Sequence, residues 1–255
     1  MKKIVLIIFT SIISVSLIAQ DDRKEQQLFQ QAKTLQNEKK WDEAFVILKN
    51  LLKNDSSNVE YLWRTSFIYS KLGINQNTES QKQEWFGIAA YLGKRAITQH
   101  PQNANAHYAY AVSLGRMTEL VGNQTKIEYS KLIKSEAETA IKLNPKLAGA
   151  YHILGRWHRE IANFNIFERA MIKALFGGMP GGTYEESIKN FERAILLEPM
   201  NGLHYYELAQ SYLARDESED KKNAKNWLLK ATLITIRSED DATNKSLCEE
   251  LLKEI

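Results

Sequence analysis

The sequence predicts an all-α fold: a right-handed stack of about five helical hairpins carrying one inserted helix. Three observations predict it. The hexapeptide Ala-Ile-x-x-x-Pro occurs three times, at Ala96-Ile97…Pro101, Ala140-Ile141…Pro145 and Ala194-Ile195…Pro199. Each copy closes an apolar-periodic stretch and precedes a new one rich in aromatic residues. Only 4 prolines and 12 glycines interrupt the 255 residues, which leaves long stretches free to be helical. A proline has no N–H to give to a helix and its ring clashes with the preceding turn, so each copy marks the end of one hairpin and the start of the next. The alanine five residues before it lets two helices approach closely. Hydrophobic residues at 44% and charged residues at 25% are ordinary for a globular chain and exclude wholesale disorder. Stacks of helix pairs expose extended surfaces, which usually bind other proteins and rarely do chemistry.

The first element is of another kind. Lys2 and Lys3 precede an apolar run, Ile4 to Ala19, broken only by Thr10, Ser11, Ser14 and Ser16. A basic start, a short apolar middle and a small residue before a polar stretch read as a secretory signal peptide cut after Ala19. Leu17 departs from the small residue expected three places before the cut. The alternative is an uncleaved anchor, although the run is at the short edge of what spans a bilayer. Either way the chain is expected to be exported, periplasmic or secreted, or held at the inner membrane through residues 4–19. Residues 20–255 then form one helical domain. Its single cysteine, Cys248, allows no internal disulfide and supplies no lipid-attachment cysteine after the apolar run. The formal charge of +3 falls to +1 when Lys2 and Lys3 leave. No basic block beyond two residues follows, which argues against a nucleic-acid surface.

The hairpins follow in order. The first begins near Glu25, with Ala44, Leu48 and Leu51 on its second helix. The next begins near Val59, with Ala89, Gly93 and Ala96. The third starts near Ala104, the fourth near Ala148 and the fifth near Gly202. Tyr151, Leu154 and Gly155, then Ser187, Phe191, Ala194 and Pro199, make the fourth the best match to the tetratricopeptide repeat, a 34-residue helix-turn-helix unit that this chain resembles. The fifth has Tyr205, Leu208, Ala209 and Tyr212, then Ala224, Leu228 and Ala231. A last amphipathic helix, Asp241–Ile255, is expected to cap the stack. The prolines lie 44 and 54 residues apart, and the excess over 34 is expected between the helices of a pair: 116–126 in the third hairpin, 163–182 in the fourth. The longer insert opens as a helix with Ile166, Phe167, Ala170, Met171, Ala174 and Leu175 on one face. Gly177-Gly178-Met179-Pro180-Gly181-Gly182 stops it. Thr183 and Glu186 fit a capping box on the next helix. The insert reads either as a packing element that closes the stack or as a partner-binding flap.

Between Ala111 and Pro199 the strings AVSLGRMTELV, AETAIKLNP, AYHILGRW, FERAMIKALFGG and TYEESIKNFERAILLEP follow one another. In this order they resemble the regulator of microtubule dynamics family, over roughly residues 104–228. The likeness includes the inserted helix and its glycine-rich exit. It implies a tetratricopeptide-like fold and a scaffold role. The family's animal members are linked to microtubules and to mitochondrial or endoplasmic-reticulum membranes. The resemblance brings no catalytic residue with it.

The residues themselves offer no HExxH, phosphate loop, GxSxG or CxxC. No catalytic, cofactor or metal residue is therefore assigned. His152 and His158 lie six apart on one helix, which puts them on different faces, and the five histidines read as ordinary surface or core residues. The candidate site is a concave groove built from the first helices. The fifth position of each gives Phe29, Trp63, Tyr108, His152 and Tyr206, all rings. One turn on come Lys33, Phe67, Val112, Arg156 and Gln210. Arg116 belongs with these, as does Glu160, which closes a His152–Arg156–Glu160 charge stripe at spacings of four. Rings with a polar tip, and arginine, dominate binding energy at interfaces. The alternative is that the column is already covered. Trp41 is expected to staple the start of a helix. The sequence thus predicts a non-enzymatic scaffold of the cell envelope that binds a protein or peptide. The alternatives are a membrane-anchored assembly factor or chaperone-like peptide binder, and, less favoured, an enzyme on a helical scaffold.

Overall fold

The computed structural model describes residues 22–178 and 181–255, without the side chain of Phe176. The 4–19 run and its cleavage or anchoring lie outside the described residues. Among the described residues no strand occurs. Five hairpins follow one another: α1 (22–37) with α2 (Trp41–Asn54), α3 (Val59–Leu72) with α4 (Glu79–Gln99), α5 (Ala104–Met117) with α6 (Asn123–Leu143), α7 (Ala148–Ala162) with α9 (Tyr184–Leu197), and α10 (Gly202–Arg215) with α11 (Asp220–Thr232). The inserted helix is α8 (Ile166–Phe176), and α12 (Glu239–Glu254) packs on α10 and α11 as the terminal cap.

The repeated hexapeptide does what its chemistry dictates. α4, α6 and α9 stop short of their prolines, and in each the N–H of the residue before the proline donates to the carbonyl of the motif's own alanine: His100 to Ala96, Asn144 to Ala140, Glu198 to Ala194. Asparagines then open three of the first helices. The side chains of Asn58, Asn103 and Asn201 accept the N–H of Glu60, Ala106 and Leu203, satisfying donors that a helix start otherwise leaves free. The small residues mark the closest approaches. Ala96, Ala140 and Ala194 are fully buried. A Cβ on Gly93 would stand 2.9 Å from Tyr110 Cα, and one on Gly155 3.0 Å from the Phe191 ring. The core runs along the stack as a series of local clusters, one around Leu48, Tyr61 and Ile68, another around Phe191, Leu208, Leu228 and Cys248.

Three expectations about the connections and the insert are corrected. The excess length of the third hairpin is not a long connection over 116–126: Arg116 lies in α5, residues 123–126 in α6, and the extra residues are turns added to α6, which runs for 21 residues. Thr183 accepts from the Glu186 N–H at 3.2 Å, but the Glu186 carboxylate meets Lys189 rather than returning to the cap; full capping boxes form instead at Thr78–Gln81 and Asn165–Glu168. The insert does not close the stack with its apolar face. Ile172 is buried and Arg169 donates to the carbonyls of Ile161 and Phe164, so this side of α8 is the one that attaches. Ile166, Phe167, Met171 and Leu175 share the opposite face and are 55–86% exposed.

The two ends of the stack meet. Lys39, in the turn after α1, pairs with Asp241 at the start of α12. Trp41 Nε1 donates to Asp240 at 3.1 Å, and Lys71 Nζ lies 3.0 Å from the same carboxylate. Trp41 therefore ties the first hairpin to the last helix rather than stapling its own start. Lys39 holds φ of 58°, the left-handed conformation that closes α1.

Candidate functional site

The first helices α1, α3, α5, α7 and α10 carry the ring column. The structure divides it. Trp63 is buried in a local cluster, with its Nε1 donating to Glu60 at 3.0 Å and Arg64 stacked 4.2 Å from its ring. His152 is buried too. Its Nδ1 stands 2.8 Å from His204 Nδ1 and its ring meets Phe191 edge-on at 5.4 Å. One of the two facing nitrogens must donate and the other accept. Burial, then His204, Arg156, Arg159 and Arg116, hold His152 well below the ordinary imidazole range. The sequence offered His152 as a groove ring; the structure spends it inside the stack. The remaining three are half-buried. Phe29 lies edge-on to Tyr61 at 5.1 Å. The Tyr206 hydroxyl accepts from Gln210 at 2.9 Å. Tyr108 lies 5.7 Å from Phe67, and Phe67 lies 5.8 Å from Trp41, a run of rings across three hairpins. Gly149 makes room for Tyr108, since a Cβ there would come within 2.5 Å of its ring. Burial, with Glu198 adding and Arg116 opposing, pushes the Tyr108 hydroxyl above its ordinary range.

The charged part of the site also departs from the expected stripe. Arg156 reaches not Glu160 on its own helix but Glu207 on α10, Nε to Oε1 at 3.6 Å. Glu207 is already engaged: Arg159 donates to both its carboxylate and its backbone oxygen. Glu160 stays largely exposed, 3.9 Å from Arg159. Arg116, one hairpin earlier on α5, is half-buried, and its guanidinium makes no hydrogen bond or ion pair among the described residues. Burial and the neighbouring Arg156 both lower its pKa. Sequence reasoning missed Arg159, Glu207 and His204. Their partners lie 48 and 52 residues away, and no local spacing signals such pairs. It also missed the Lys39, Trp41 and Lys71 contacts with Asp240 and Asp241, which depend on how far the whole stack curls. Among the described residues no group of three metal-ligating side chains converges, and no helix is long and apolar enough to cross a membrane.

The family model described as regulator of microtubule dynamics protein 1-3 matches residues 28–255. Regulator of microtubule dynamics protein 2 of Homo sapiens is 30% identical over 207 residues, 80% of this chain and 50% of that protein. Protein 1 of Mus musculus is 27% identical over 247 residues, 94% of this chain and 78% of the relative. The chain spans about half the length of the first curated relatives it matches. Among solved structures, a thermophilic TPR protein of Thermus thermophilus superposes with a TM-score of 0.60 at 17% identity, covering 89% of this chain and 99% of that one. At that identity the likeness concerns the fold.

Proposed function

The chain belongs to the regulator of microtubule dynamics family, and from that premise we propose that it is a non-enzymatic scaffold whose concave face binds a protein or peptide partner. The observation that carries this is the partly open strip on the first helices, where Tyr108, Tyr206 and Arg156 keep exposed surface beside a packed core. Rings with polar tips and a guanidinium on a rigid curved support are the side chains that anchor interfaces. In that support each hairpin packs on its neighbours, and ion pairs of Lys39 and Lys71 with Asp241 and Asp240 tie the two ends to each other. The relatives' name speaks of microtubules. What this chain shares with them is the family's sequence pattern over residues 28–255, and the role we carry over is that of an interaction scaffold. The Lys2-Lys3 start and the 4–19 run favour action outside the cytoplasm, as a cleaved protein or one held at the membrane by that run.

The outward apolar face of α8 favours a second contact surface, as an assembly factor with two faces would need. Contiguous exposed apolar side chains on a globular fold mark interaction sites. The test is capture from envelope extract with the purified mature chain, followed by mass spectrometry, alongside Tyr108→Ala/Tyr206→Ala and Phe167→Ser/Leu175→Ser variants. The groove reading expects a specific partner that the first variant loses while its unfolding midpoint holds. Capture unaffected by the groove variant would remove it.

A further inference from the structure

The helix α8 turns a continuous apolar face to water. Ile166, Phe167, Met171 and Leu175 are 55–86% exposed, and Ala170 and Ala174 among them are exposed as well. Their spacing of i, i+1, i+4, i+5, i+8 and i+9 puts all six on one side of an α-helix, and no charged residue shares that side. The opposite side is committed to the stack: Ile172 is buried, and Arg169 donates to the carbonyls of Ile161 and Phe164. Rolling α8 to hide its apolar face would break these bonds. The four large side chains leave on the order of 500 Å² in water. Two copies meeting through this face would bury about 1,000 Å², the lower bound of a specific interface.

The order of large and small residues favours a second copy as the occupant. Along α8 the face runs large, large, small, large, small, large. A second α8 laid antiparallel and centred between Ala170 and Met171 brings Phe167 level with Ala174 of the other copy, and Met171 level with Ala170. Each central bulky side chain then faces an alanine, which lets the axes approach to the short end of the roughly 8–10 Å range for packed helices. Ile166 comes level with Leu175 of the other copy, and the two lie on opposite edges of the face, so they pass on either side. A parallel pair would set Phe167 against Phe167 and alanine against alanine, a clash beside a gap. The rim carries both signs, Lys173 on one edge and Glu168 on the other, in place of the basic border that draws an amphipathic helix to an anionic bilayer. We propose that the outward face of α8 is a self-association surface, where two copies of the chain pair antiparallel about a two-fold axis between Ala170 and Met171. A two-fold contact uses the same patch on both copies and closes, so it gives a dimer and no filament. The inference rests on the second-surface reading above and names its occupant; it is independent of what the concave groove binds. An interface this small dissociates on dilution, so in a dilute unfolding titration the chain is a monomer and the face behaves as exposed surface.

The experiment has two arms. Sedimentation equilibrium of the mature chain, from low to high micromolar, reads association, with circular dichroism confirming that each variant is folded. The proposal expects a reversible monomer–dimer equilibrium whose dissociation constant rises at least tenfold in Phe167→Ser/Leu175→Ser and is unchanged in Tyr108→Ala/Tyr206→Ala. Disulfide trapping in cells making the full chain, treated with copper phenanthroline, reads the register. Ala170→Cys stands beside the axis, where two copies of its Cβ come within disulfide reach, and should give a cross-linked dimer. Leu175→Cys stands about two and a half turns along the pair from its own copy and should not. The parent, whose single cysteine is the buried Cys248, gives the background. A chain that stays monomeric at every concentration, a dimer untouched by the serine variant, no trapping at Ala170→Cys, or equal trapping at both cysteines overturns the proposal. If the chain is monomeric and the serine variant loses a different envelope protein, or loses binding to phosphatidylglycerol vesicles, the second-surface reading survives with another occupant. If it loses neither, that reading falls too.

Discussion

At the scale of single residues, small side chains set the distance between helices and buried histidines set the response to pH. Gly93→Ala would press a methyl to 2.9 Å from Tyr110 Cα, and Ala140→Leu or Ala194→Leu would force a branched side chain into a fully buried contact. Each is expected to cost about 1–3 kcal/mol by overpacking, read as a lower urea midpoint. Midpoints equal to the parent would mean the contacts are looser than they look. Two histidines act in opposite directions. His152 is kept neutral by burial and by the cations around it, so its folded pKa lies below the unfolded value of about 6.5. The unfolded chain then binds the extra proton, and stability is lost as pH falls below about 6.5. His158, lowered by burial, adds to the same limb. His107 is raised first by its hydrogen bond to Glu136, against burial and with help from the Pro101 carbonyl. Its contribution is complete below about 6.5 and is lost as pH rises through its folded value. Urea midpoints between about pH 5 and 8 should therefore fall on both sides. His152→Gln should flatten the acid limb and His107→Gln the alkaline one; a variant that leaves its limb unchanged would contradict the assignment. The alanine and glycine positions were legible in the sequence because their meaning is local. The His152–His204 and Arg159–Glu207 pairs were not, because the twist between successive hairpins decides which residues of α7 and α10 face each other.

At the scale of elements, the Ala-Ile-x-x-x-Pro motif fixed where α4, α6 and α9 end, and the proline fixed where the next helix could start. It carried no information on where those second helices begin. Gly122, before α6, gives no side-chain cap, so the extra turns of α6 read as connection. The helix α8 was legible as a helix and its apolar residues as one face; the direction of that face was not. Among the described side chains of α8, Ile172 is the one apolar residue that is buried, and the Arg169 hydrogen bonds fix the orientation. Two predictions belong here. Phe167→Ser and Leu175→Ser should each change stability by no more than about 0.5 kcal/mol, as exposed substitutions do; a loss of several kcal/mol in chemical unfolding would restore the packing reading. Thr183→Ala should cost about 1 kcal/mol, because the N–H of Glu186 loses its acceptor at the start of α9. The same unfolding titration reads this, and no loss would show that water replaces the hydroxyl at no cost.

At the scale of the whole molecule, the curl of the stack brings residues 39–41 and 71 to residues 240 and 241. Asp241 is almost fully buried at this junction. Burial pulls its pKa upward, but Lys39, the Arg237 N–H and the Arg237 charge outweigh burial and hold it below the usual carboxylate range. Such a group stabilises the closed form above its unfolded pKa of about 3.9, and the contribution is lost as pH falls through the lower folded value. Asp240→Asn/Asp241→Asn should open the junction at neutral pH, seen as a larger radius of gyration in solution scattering; an unchanged radius would mean that packing of α12 on α10 and α11 alone sets the curvature. That hairpins stack, and that a last helix caps them, could be read from composition and spacing. How far they curl could not, since small rotations at every hairpin add up over the chain. The central claim is that a partner binds inside this curl. The direct measurement is site-specific photo-crosslinking in cells making the full chain, with a photoreactive phenylalanine placed in turn at Arg156, Tyr206 and Phe167. The account predicts a discrete adduct with one partner from Arg156 and Tyr206. Adducts from Phe167 alone, with the two groove positions silent, would contradict it.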